Sequence, residues 1–167
     1  MSLLTIAGLS EYLETPQNIV IIPHQNPDGD ALGSCLGMSH LMRKFGHTTM
    51  ICSPNAFPDF LGWMPGANEI LLADQNLEGC KKALDSASLI CTLDFNHLSR
   101  CGVLGEFIEN SSVPILMVDH HISPSDYAKY TFSDTSMSST CEMIYHLAKH
   151  INCIDQIDSV IANCLYT

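Results

Sequence analysis

At 167 residues the chain has the length of one domain, and its 46% hydrophobic content supplies enough apolar surface for a packed core, which excludes disorder. Eighteen Asp and Glu against seven Lys and Arg set a formal net charge of −11, whereas a surface that grips a long nucleic-acid strand ordinarily carries a basic face. No apolar run approaches the ~18 residues of a membrane span, and the start MSLLTIAGLSEYLE lacks the features of a signal peptide, so a cytoplasmic protein without a membrane partner is expected.

In chain order, Asn18–Pro23 (NIVIIP) is a near-continuous apolar run of the kind buried on both faces of a parallel sheet. From Asp30 to Phe45, Leu32, Cys35, Leu36, Met42 and Phe45 recur at helical spacing, and Gly46 stops the helix. Thr48–Cys52 reads as a second strand and Glu69–Leu72 as a weaker third. Leu77–Ala87 reads as a helix feeding a buried strand, Leu89–Leu93 (LICTL). His97–Glu109 is predicted as one helix, Pro114–Val118 (PILMV) as a strand and Lys129–Phe132 as a short one. Ser139 to His150 opens with Ser-Thr-Cys-Glu, a capping box with Ser139 as N-cap and Glu142 reaching back. Asp155–Leu165 places Ile157, Ile161 and Leu165 four apart, a last helix. Strand–helix alternation of this kind implies an α/β fold: a Rossmann-like, mainly parallel sheet of about five strands with helices on both faces, occupying residues 1–167 as one domain.

Ligands of such sheets bind at the carboxyl ends of the strands, and three polar clusters stand there. His24-Gln25-Asn26-Pro27-Asp28-Gly29-Asp30 follows NIVIIP; the flanking prolines exclude a helix, and carboxylates two apart in an extended loop point to one side. Capping of the next helix would use one of those aspartates, not two and a histidine. Asp94 ends LICTL; alone it would be an ordinary turn or cap residue. Asp119-His120-His121 follows PILMV without a gap. Together the clusters offer oxygen and nitrogen donors without thiolate, a set suited to Mn²⁺, Mg²⁺ or a similar divalent ion rather than structural zinc. The carboxylates exceed what one ion needs, which favours a two-ion centre sharing one Asp, with ions ~3.5–4 Å apart and charge neutralisation on phosphate oxygens as its use. The eight cysteines include no CxxC pair and read as small buried apolar residues. There is no GxxxxGK[ST] loop, GxGxxG or GxSxG; Gly29, Gly33 and Gly37, four apart, read as allowing a helix to pack closely on the sheet.

The order and spacing of His24-x-x-x-Asp28-x-Asp30, Asp94 and Asp119-His120-His121 resemble the motifs of the DHH phosphoesterase family, and PHQNPDGDALGSCLG, VDHH and SSTCEMIY look most like its branch of oligoribonucleases and phosphoadenosine phosphate phosphatases. The resemblance implies that His24 and Asp28 hold one metal, that Asp30 and His120 hold the second, and that Asp94 bridges them. His121 would then act on the scissile phosphate or its leaving group, and Asp119 would orient the histidines. Arg100, where the family often has an Arg, and Ser139 are the expected substrate contacts, although an ion pair on the helix surface is an equal reading for Arg100. The implied cofactor is two Mn²⁺ and the implied substrate a short oligonucleotide or a nucleotide bisphosphate; a cyclic dinucleotide, pyrophosphate or a catalytically incomplete metal-binding role are the alternatives. In the family a fourth acidic motif and a C-terminal substrate-binding domain follow a segment like IANCLYT, so the chain reads as the N-terminal part of a longer protein. Alone it is expected to turn over little or not at all and to bind at most one ion tightly, through His24, Asp28 and Asp94. Uncovered apolar surface, with FPDFLGWMPG as one candidate patch, would favour a homodimer; packing of that loop on the sheet is the competing expectation.

Overall fold

In the computed structural model, which describes residues 2–167 and the side chains from residue 4 onward, thirteen helices and strands form around one sheet. In chain order they are β1 (Ser2–Thr5), α1 (Leu9–Tyr12), β2 (Asn18–Pro23), α2 (Gly29–Lys44), β3 (Thr48–Ser53), β4 (Leu71–Leu72), α3 (Leu77–Asp85), β5 (Leu89–Leu93), α4 (Leu104–Glu109), β6 (Ile115–Asp119), β7 (Tyr130–Asp134), α5 (Thr140–His150) and α6 (Ser159–Leu165). The seven strands lie in the order β1-β7-β6-β5-β2-β3-β4; every pairing is parallel except that of β1 with β7. The α/β architecture is the expected one, with seven strands against an expectation of about five; the six segments read as strands all form, and β1 is the addition. The four-residue SLLT is too short for a period to declare itself, and β4 shrinks to two residues.

Two apolar layers sandwich the sheet because alternate side chains of one strand face opposite ways. Ile19 and Ile21 of β2 join Leu89, Cys91, Leu93, Leu116 and Val118 in a core with α1, α2, α5 and α6. Val20 and Ile22 face the other way, joining Ile90 and Ile115 over α3 and α4. All eight cysteines are free and buried, as expected of small apolar residues.

Four local expectations shift. Gly33 and Gly37 pack against α6 rather than the sheet: a Cβ at Gly33 would stand 2.4 Å from the Cys164 carbonyl oxygen, and one at Gly37 2.4 Å from Leu165 Cδ2. His97–Glu109 is not one helix but a 3-10 turn, Leu98–Cys101, followed by α4, because Gly102 takes φ 56° and ψ −136° between them. The last helix starts late, since Asp158 caps it by accepting from the Val160 and Ile161 N–H groups. In FPDFLGWMPG, Leu61 and Met64 are buried while Phe60 and Trp63 stay exposed, so the loop is anchored and also leaves aromatic surface in water. No helix among the described residues is long and apolar enough to cross a membrane.

Candidate metal centre

From β2 the chain winds first through β3 and β4 to one side, then returns to lay β5, β6 and β7 on the other. The loops leaving β2 and β5 therefore part in opposite directions, and a crevice opens above the carboxyl ends of these two neighbours. The three clusters converge there: His24, Asp28 and Asp30 after β2, Asp94 after β5, and Asp119, His120 and His121 at the end of β6.

Asp94 is the hub. Its residue is 2% exposed and adopts φ 67°, a left-handed conformation uncommon outside glycine. One carboxylate oxygen, Oδ2, lies 3.5 Å from His24 Nε2. The other, Oδ1, lies 3.6 Å from His120 Nε2 and 3.9 Å from His121 Nδ1. Two clusters of potential metal ligands result, His24–Asp28–Asp94 and Asp94–His120–His121, and both contain Asp94.

Each histidine is held by its second ring nitrogen. His24 Nδ1 lies 2.8 Å from the Gln25 carbonyl oxygen, and with the proton on Nδ1 its Nε2 lone pair faces Asp94 and, at 3.9 Å, Asp28. His120 Nδ1 lies 3.4 Å from the Met137 carbonyl oxygen, with Nε2 between Asp94 and Asp30, each 3.6 Å away. A backbone carbonyl on one nitrogen and a free lone pair on the other is the arrangement of metal-ligating imidazoles. His121 differs. Its Nδ1 lies 2.7 Å from Oδ1 of the fully buried Asp119, whose Oδ2 accepts the His121 backbone N–H. Asp119 thereby fixes the proton on Nδ1, leaving Nε2 as the available nitrogen. The His121 Nδ1 is thus engaged by a carboxylate, where those of His24 and His120 face backbone carbonyls.

In the protonated ring Nε2–H donates to Asp94, which raises the His24 imidazole above its ordinary value, against the opposing effect of burial; the Gln25 carbonyl and the Asp94 and Asp28 charges add to the rise. The pocket stabilises a positive charge beside these carboxylates.

Asp28 also accepts from Ala31 N–H as the N-cap of α2, so capping and site geometry coexist in one side chain. Asp30 reaches across to α5: its two oxygens accept the Thr140 and Cys141 backbone N–H groups, both at 2.8 Å. Ser139 is the N-cap of α5, accepting from Glu142 N–H. The Glu142 carboxylate returns to Ser138 N–H and hydroxyl rather than to Ser139. Arg100 is exposed, with no ion pair among the described residues; its carbonyl accepts the Gln25 N–H at 2.7 Å, which ties the 3-10 turn after β5 to the loop after β2. Thr140 went unnoticed in the sequence. Its hydroxyl donates to Asp94 Oδ1 at 2.9 Å, and the only signal was its place after a predicted cap.

Residues 18–167 match the family model described as DHH family, N-terminal domain. The chain belongs to the DHH family. Among curated proteins it is 26% identical over 146 residues to the bifunctional oligoribonuclease and PAP phosphatase of Mycoplasma pneumoniae, covering 86% of this chain and 43% of that protein. The protein of the same name from Thermus thermophilus is 28% identical over 143 residues, 85% of this chain and 39% of that one. Among solved structures, an exopolyphosphatase-related protein from Bacteroides fragilis superposes with a TM-score of 0.94 at 38% identity, covering 98% of this chain and 48% of that chain. The DHH-family chain thus spans less than half the length of each of these relatives.

Proposed function

We propose that this DHH-family domain forms the cation-binding half of a divalent-metal-dependent phosphoesterase acting on short oligonucleotides or nucleotide bisphosphates. The observation that carries the reading is the sharing of Asp94: a buried carboxylate directs one oxygen to His24 and the other to His120, so two ligand groups meet in one residue. His24, Asp28 and Asp94 would hold one ion; Asp30, Asp94 and His120 would hold the second. Mixed imidazole and carboxylate donors without thiolate suit Mn²⁺, with Mg²⁺ the harder alternative.

Two bound cations would activate water and neutralise the charge that builds on phosphate oxygens. The chain's own groups do the rest. Asp119 accepts the His121 Nδ1–H and aims Nε2 away from it; in the imidazolium form Nε2–H would donate to the phosphate or its leaving oxygen. Arg100, tethered beside His24 through its carbonyl, is the candidate phosphate contact. Among the other cations, Arg43 is paired with Glu69 and Lys44 with Asp158. A chain of net charge −11 with seven Lys and Arg in all suits a substrate gripped at one or two phosphates better than a long strand. The names of the two curated relatives, oligoribonuclease and PAP phosphatase, support the same substrate class.

A second reading draws on the Bacteroides protein, whose name points to a phosphoanhydride substrate. The test uses the full-length protein with Mn²⁺ and a panel of dinucleotide, nucleotide bisphosphate, cyclic dinucleotide and pyrophosphate. Release of mononucleotide or inorganic phosphate from the first two is expected, with strong loss in Asp28→Ala and His120→Ala. Full activity in those variants would sink the proposal, and cleavage of pyrophosphate alone would favour the second reading.

A further inference from the structure

Thr140 sits at the first turn of α5 with no exposed surface. From there it touches two carboxylates, one in the first turn of α2 and one just after β5. Its backbone N–H donates to Asp30 Oδ2 at 2.8 Å and its hydroxyl to Asp94 Oδ1 at 2.9 Å. The adjacent Cys141 N–H donates to the second Asp30 oxygen, and the Ser139 hydroxyl caps the same turn. Helix termini ordinarily leave their first N–H groups to water or a local cap; here two of them close on a site residue more than a hundred positions away.

We propose that Thr140 is a positioning residue for the shared carboxylate, an inference that rests on the metal-centre reading above. A donor on one oxygen of a buried carboxylate restrains its rotation and makes its two oxygens inequivalent. The Thr140 hydroxyl holds Oδ1, the oxygen that lies 3.6 Å from His120 Nε2, while Oδ2 lies 3.5 Å from His24 Nε2. The hydroxyl thereby sets which edge of Asp94 each ligand group receives, and the peptide N–H beside it fixes Asp30 in the same frame. Partners of metal ligands at this distance typically change metal affinity by ~10–100-fold when removed. The assignment gives Thr140 a role in the Ser-Thr-Cys-Glu segment distinct from the N-cap role of Ser139.

The experiment is Mn²⁺ titration calorimetry on the full-length protein as wild type, Thr140→Val, Thr140→Ser and Asp94→Asn, with melting of each in chelator as a separate readout. Valine keeps the shape and removes the hydroxyl; serine keeps the hydroxyl. The expected result is about a 10-fold weaker Mn²⁺ affinity in Thr140→Val, with Thr140→Ser close to wild type. Equal affinity in valine variant and wild type, alongside loss in Asp94→Asn, would overturn the role of Thr140 and leave the metal centre standing. Wild type that takes up no Mn²⁺, or Asp94→Asn that binds as wild type does, would overturn the metal centre and Thr140's role with it. Should Thr140→Val fail to fold, Thr140→Ser decides: the altered reach of its freer hydroxyl must leave affinity within a few-fold of wild type, and a loss as large as that of Asp94→Asn counts against positioning.

Discussion

The two ligand groups that meet at Asp94 are built by different means. In the first, His24 is pinned by the carbonyl of its own neighbour, Gln25, at 2.8 Å, and its side chain is 9% exposed. In the second, His120 leans on the Met137 carbonyl at 3.4 Å with a 25% exposed side chain, and Asp30 is held by N–H groups of α5. The first group is therefore fixed by a short loop and the strand that launches it. The second depends on the docking of α5 against the sheet. A local device keeps its geometry whenever the loop forms, whereas a tertiary one fails as soon as the helix shifts. Perturbations remote from the chemistry should accordingly weaken the His120 side of the centre before the His24 side.

The largest break in the comparison is at the residue common to both groups. Asp94→Asn should abolish both cation-binding steps in calorimetry and lower phosphoester hydrolysis by ~10³-fold, the upper range for losing one electrostatic partner of a transition state. Next come His24→Ala and His120→Ala, which should each remove one ion from the stoichiometry. A loss of both ions in either variant would show that the groups are not separable. Asp119→Asn tests the third histidine: an amide no longer supplies the charge that supports a His121 imidazolium or holds its Nδ1–H, so kcat should fall by ~10²-fold while the number of bound ions stays unchanged.

Why the convergence was legible, and Thr140 was not, follows from the same contrast. Strand ends can be read from apolar runs such as NIVIIP, LICTL and PILMV, and in a parallel sheet all such ends lie on one rim, so polar residues directly after them are brought together by topology alone. Asp28 and Asp119 carry their partners within a few positions, as His24 and His121 do. Thr140 gains its meaning from Asp94, 46 positions earlier in the chain, and no period or motif encodes that contact. The misread elements have the same origin. Gly102 breaks the predicted His97–Glu109 helix through a backbone angle that only the fold reveals, and the glycines at 33 and 37 serve α6, a helix whose approach cannot be seen from α2 alone.

Two smaller predictions sharpen the claim that the His120 side depends on helix docking. Gly33→Ala would set a methyl 2.4 Å from the Cys164 carbonyl oxygen and 3.1 Å from Cys141 Sγ. Backbone on one side leaves little room to give, so the helices must move apart, at a cost of ~1–3 kcal/mol and several degrees of melting temperature in the metal-free protein. Cys141 supplies one of the N–H groups on Asp30, so the same shift should weaken the ion held with His120 more than the ion held with His24. A uniform loss across both ions would contradict the contrast between local and tertiary support.

The mildest variant is Ser139→Ala. The Ser139 hydroxyl accepts from Glu142 N–H at 3.0 Å and caps the helix whose next two N–H groups hold Asp30. Removing an N-cap costs ~1 kcal/mol, a melting shift of about 2–4 °C for a chain of this size. Ser139 is also an expected substrate contact, and kinetics can divide the two roles. Loss of the cap alone lowers the melting temperature and loosens Asp30, so any kinetic effect should be recovered at saturating Mn²⁺. Loss of a substrate contact instead raises KM at every Mn²⁺ concentration, because no excess of cation replaces a missing hydroxyl.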